Sequence, residues 1–150
     1  MLHSTLTIWE GTGMAAGKSE DLGRLVLRLA VGFPLFLHGI NKLQHGVAWI
    51  MGPLGEVGLP GFIAYGVYIG EFLAPLMVIV GYRARIAAPF MVVNMVMAIL
   101  LAHRHQIFSI KEAGGGWAIE LDALILLGSL AVFFLGGGRY GITRGKGAWD

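Results

Sequence analysis

The sequence predicts an all-α, membrane-embedded four-helix bundle with a short interfacial helix after the first span. Composition is the first reason. Of 150 residues, 56% are apolar and 13% are charged, whereas a soluble domain holds about 45–50% and about 25%. The mean hydropathy of +0.72 agrees. The second reason is length. Four apolar stretches, at about 22–40, 62–82, 86–102 and 117–135, each run for about 17–21 residues. At 1.5 Å per residue they reach roughly 26–31 Å, a hydrocarbon core's thickness. The third reason is the absence of a wet face. Val92–Leu101 and Leu121–Leu135 have almost no polar side for water. Period-2 alternation, the mark of a transmembrane barrel, is also missing.

Residues 1–20 contain Glu10, Lys18 and Glu20 and no apolar core before a cleavage site. They read as a mobile polar tail rather than a signal peptide. The bundle is expected over 21–143, with a short cytoplasmic tail at 144–150. In the first span Pro34 is interior. Residues 43–61 are too apolar for an ordinary loop and too broken to span. Leu43–Met51 is expected as an interfacial helix, followed by a Gly/Pro loop over the outer end of the bundle. In the second span Pro75 removes the hydrogen bond to the carbonyl four residues back, which belongs to Glu71. Gly81 stops that helix, and Gly136-Gly137-Gly138 stops the fourth. Pro89 sits in the first turn of the third, where it is tolerated.

The charge of +2 is too small to imply nucleic-acid binding. With no cysteine, the chain can carry no disulfide, thiolate metal site or thiol redox chemistry of its own. Orientation follows from Lys and Arg in the loops. One side holds Lys18, Arg83, Arg85, Arg139, Arg144 and Lys146, and the other Lys42, Arg104 and Lys111. Both termini are therefore expected to be cytoplasmic. Trp49 and Trp117 would mark the outer interface, with Tyr82 and Tyr140 at the inner one.

Ionisable groups at membrane depth are the chemical signal, because each costs several kcal/mol unless it faces protein or water. Arg28 lies six residues into the first span, and Glu71 lies near the middle of the second. Asn94 is central on the third. His38, Lys42, His103 and Glu120 lie further out. By depth these residues form a column, read as an outward-facing polar pocket floored by an Arg28–Glu71 pair. Glu120 shares a face with Leu124, Leu127 and Gly128, taken as the packing side, and is expected to point inward. Asp122 is expected outward or lateral. A structural ion-pair network fixing helix register is the competing reading.

The first-span run LRLAVGFPLFLHGINKL at 27–43, GLPGF at 58–62, and Gly70-Glu71 with Pro75 and Gly81 resemble the DoxX family of small bacterial membrane proteins. So do GGGWAIEL at 114–121 and LGGGRYGIT at 135–143. Gly137 stands where that family commonly has Pro. The resemblance implies four transmembrane helices in the bacterial inner membrane, both ends cytoplasmic, and an association with quinone-linked membrane redox chemistry. Carried over by position, the family's polar residues fall on Arg28, His38, Lys42, Glu71 and Glu120.

The expected function is a membrane subunit of a redox system holding a quinone or other small redox substrate. Glu71 and Glu120 would relay protons as catalytic residues. Arg28, His38, Lys42, Asn94 and His103 would bind the substrate. No covalently bound cofactor and no metal are expected. The chain has no motif for flavin, nicotinamide or attached haem, so electrons would come from an oxidoreductase partner or the substrate. Two other classes are open. One is a channel or transporter component for a small solute or proton, formed by a homo-oligomer, with the kinked helix at Glu71 on its path. The other is an assembly partner without a small-molecule site. A b-type haem on His38 and His103 is chemically allowed, but both lie near helix ends and one His per helix is common by chance. A metal held by His38, His103 and Glu120 is allowed too but lacks a closely spaced ligand pair.

Overall fold

A computed structural model describes residues 3–111 and 114–150, the side chains of 3–16 excepted. The described chain is all-helical, apart from one antiparallel bridge between Ile110 and Trp117. We label the helices α1 (His3–His45), α2 (Ala48–Glu56), α3 (Gly61–Val80), α4 (Ala84–Ala102) and α5 (Glu120–Leu135). Among the described residues, three stretches are long and apolar enough to cross a membrane: Gly17–His45 of α1, α3 and α4. α5 has 16 residues, about 24 Å.

Several boundaries differ from expectation. The expected tail at 1–20 begins outside the described residues, and from His3 its backbone is already helical and continuous with the first span. α1 also runs on through Leu43 to His45, beyond the expected end at 40. The short helix is consequently Ala48–Glu56 rather than Leu43–Met51, because the chain turns at Gly46 first. The fourth helix starts at Glu120 rather than 117. Before it, residues 109–111 pair with 116–118 through Lys111 N–H to Gly116 O and Ala118 N–H to Ser109 O, at 2.8 and 3.0 Å.

α1 packs on α3 and α5, α4 packs on α3 and α5, and the four rods enclose one core. That core mixes small residues (Ala74, Ala84, Ala87, Ala88) with Val31, Leu35, Met91 and Val132. The large apolar side chains face outward instead: Leu124 is 67% exposed, Leu127 62%, Phe134 67% and Val93 62%. Small residues inside with bulky apolar ones outside is the arrangement of helices packed in lipid. α2 covers one end of the bundle through Ile50 and Leu54, which pack with Ala64 and with Met97 and Leu101 of α4.

α3 is not one regular helix. It opens with tight turns at Gly61–Gly66, widens to π geometry over Tyr68–Leu73, and becomes α-helical at Ala74–Val80. Pro75 supplies the cause, since it cannot donate to the residue-71 carbonyl. The widened turn carries Glu71.

α3 ends as expected at Gly81, which is left-handed at φ 66°. A Cβ there would fall 1.7 Å from a terminal nitrogen of Arg28. Gly81 is thus required twice, for the turn and for the guanidinium beneath it.

Candidate functional site

Glu71 is the focus of the site. Its side chain is 4% exposed, and Lys42 of α1 donates to both of its carboxylate oxygens. Asn94 Nδ2 of α4 donates to Oε1 at 3.0 Å. Three helices therefore meet at one carboxylate. The local sequence makes this possible at Gly70, where a Cβ would lie 2.5 Å from the Asn94 Cβ. Without a side chain there, α4 can bring its amide to the acid. The Lys42 ammonium also sits 5.8 Å from the Trp49 ring centroid, a cation–π contact that ties α2 to the site. The Tyr68 hydroxyl donates to the Lys42 carbonyl at 3.4 Å.

Above this cluster lies a cavity of about 500 Å³, within the usual range for small-molecule sites. Leu35, Ile50, Met95, Ala98, Leu101 and Ile125 give it apolar walls, and Lys42, Glu71 and Asn94 its polar floor. His38, His103, Lys111 and Asp122 also line it. His103 Nε2 stands 3.9 Å from Asp122 Oδ2. No group of three or more His, Asp or Glu among the described residues could hold a metal ion.

The structure brings together Lys42, Glu71, Asn94, His38 and His103, all nominated from the sequence. It separates Arg28 from them. Arg28 is fully buried, but it donates to the Tyr140 carbonyl at 2.9 Å and lies under Gly81. It makes no ion pair with Glu71; Lys42 does. The expected Arg28–Glu71 floor is corrected to Lys42–Glu71–Asn94. The physical reason is distance along α1: the rise from Arg28 to Lys42 is about 21 Å.

Glu120 is the second correction. It is exposed, pairs with Lys111 at 2.8 Å, and is not in the cavity lining. Asp122, expected outward or lateral, lines the cavity. The face of Leu124 and Leu127 points away from the bundle, and the packing face is Ala123, Ile125, Ser129 and Val132. Sequence reasoning also missed Trp49 and Asn41 as lining residues. Asn41 stands next to Lys42 and was within reach of the same argument.

The DoxX family model matches residues 23–104. That stretch carries Arg28, Lys42, Glu71, Asn94 and α2. Among curated proteins, the chain is 31% identical over 119 residues to a protein of Bacillus subtilis (strain 168) named "Putative oxidoreductase CatD". The alignment covers 79% of this chain and 83% of that one. No solved structure matches. With more than half its length matched by the family model and a relative similar over most of both chains, this membrane protein belongs to the DoxX family.

Proposed function

We propose that the chain is a membrane subunit of a redox system and holds a quinone, or a small redox substrate of similar shape, in the cavity above Glu71. The observation that carries this reading is the pairing of apolar walls with one compact polar floor. A quinone needs an apolar slot and one or two donors for its carbonyl oxygens. Lys42 and Asn94 are such donors, already aimed at a common point. Glu71 is an acceptor between them and the group suited to exchange a proton with the ligand. The name of the Bacillus subtilis relative supports a redox association. In this reading all four rods cross the inner membrane, both termini are cytoplasmic, and electrons pass to or from a partner protein or the substrate itself.

A conduit for protons or small solutes is a second reading, favoured by the π turn of α3 that carries Glu71 at a broken helix. Against it, the end of the bundle around Arg28 is closed. Gly81 and Gly141 are in close contact there over a fully buried guanidinium. A blind pocket suits a bound ligand better than a through path.

The test is purification of the full chain in mild detergent, extraction of co-purified lipophilic molecules, and titration with short-chain ubiquinone and menaquinone. The expected result is co-purified quinone and a thermal stabilisation that N94A weakens. Protein free of quinone that no quinone stabilises overturns the reading. Solute flux in proteoliposomes, absent with the empty vesicle, would favour the conduit instead.

A further inference from the structure

The Arg28 end of the bundle carries a second cleft, unrelated to the cavity above Glu71. A cavity of about 410 Å³ opens between the first residues of the α1 span and the loop that follows α5. Arg24, Arg139, Arg144 and Lys146 line it against a single carboxylate, Asp21. That carboxylate is already engaged. It accepts the Arg139 backbone N–H at 3.1 Å and stands 3.9 Å from the Arg24 guanidinium. Among the described residues, Arg139, Arg144 and Lys146 make no ion pair. The cleft is thus concave, and its four cations outnumber Asp21 and the neighbouring Glu20, which stands 4.0 Å from Arg24.

Its position narrows the ligand. The apolar run of α1 begins at Leu22, so Asp21 and Arg24 lie at its start. Leu22, Val26 and Leu29 are exposed along the same helix, and Tyr140 and Ile142 are exposed on the loop. A ligand seated in the cleft therefore meets a cationic pocket at the depth where α1 becomes apolar.

We propose that this cleft binds the phosphate group of an anionic phospholipid headgroup. Cationic side chains at a membrane surface attract anionic lipid with about a fivefold gain in partition each. A concave arrangement of several adds shape to that attraction. Inorganic phosphate shares the headgroup chemistry but has no acyl chains to enter the apolar layer that begins at Leu22.

The test uses the full chain in detergent, with short-chain phosphatidylglycerol, short-chain phosphatidylcholine and inorganic phosphate as separate probes. Native mass spectrometry or thermal stabilisation gives the affinity of each. The wild type is expected to prefer phosphatidylglycerol. R139A/K146A should bind it at least about tenfold more weakly, while R104A, which removes an exposed cation at the other end, stays within about twofold. Equal binding of the two lipids overturns the proposal, as does an unaffected R139A/K146A. Inorganic phosphate matching phosphatidylglycerol at equal concentration also overturns the lipid assignment and makes this a free-phosphate site. If the double variant does not purify folded, salt decides: binding lost between about 50 and about 500 mM supports the proposal, and binding independent of salt overturns it.

Discussion

Lys42 on α1 donates to both carboxylate oxygens of Glu71, a residue 29 positions later on the π turn of α3. Asn94 completes the cluster from α4. The pair is buried on the Glu71 side and 16% exposed at Lys42. Removing one partner of such a pair leaves an uncompensated charge and costs about 3 kcal/mol or more. Replacing both with apolar residues avoids that cost. K42A and E71A should therefore unfold in detergent at clearly lower temperature than wild type, with K42M/E71L closer to wild type than either. The double variant also separates structure from function. Under the quinone reading it folds but no longer gains stability from short-chain quinone.

A charge swap distinguishes the observed partner from the one expected by depth. K42E/E71K keeps an acid facing a base, so it should recover part of the stability that either single change loses. R28E/E71R should recover none, because Arg28 donates to the Tyr140 carbonyl and is remote from Glu71. Melting temperatures of the two double variants against their singles check this. Recovery by R28E/E71R would contradict the arrangement around Glu71.

How much was legible in the sequence differs between depth and rotation. The apolar runs locate the spans, and Gly81 and the Gly136–Gly138 run mark their ends as the structure has them. Depth and residue type put Lys42, Glu71 and Asn94 in one candidate set, and the family resemblance points to Lys42 and Glu71 as well. Their pairing was not legible, because a helix apolar all round carries no periodic signal for which side faces its neighbours. α4 and α5 are of this kind. On α5 Leu124 and Leu127 share a face with Gly128, whose lack of a side chain reads as the mark of a packing side. In a bundle surrounded by lipid, Leu124 and Leu127 turn outward and Ala123 and Ser129 turn in. The hydropathy of α3 likewise gives no hint of its π turns; only Pro75 does.

Gly70 sets how closely α3 and α4 approach. A methyl group there would stand 2.5 Å from the Asn94 Cβ, too close for either backbone to ignore. G70A should destabilise the protein by about 1–3 kcal/mol through overpacking and weaken ligand binding by displacing Asn94. Gly55 on α2 is the contrast, since a Cβ there meets nothing within 4 Å. G55A should be neutral or stabilising by up to about 1 kcal/mol, because Ala is the better helix former. Thermal unfolding of the two variants side by side tests the packing directly.

Glu120 and Asp122 exchange the roles their positions first implied. Glu120 pairs with Lys111 at 2.8 Å, and both side chains are about half exposed. Such a pair contributes at most about 1 kcal/mol, so E120Q should melt close to wild type. It should also leave the stabilisation by short-chain quinone unchanged, since Glu120 is outside the cavity lining. Asp122 lines the cavity and faces His103 at 3.9 Å. D122N removes the charge opposite that imidazole and should weaken the quinone-dependent shift. If E120Q abolished the shift while D122N preserved it, the carboxylate at 120 would belong to the site, and the rotation assigned to α5 would be wrong.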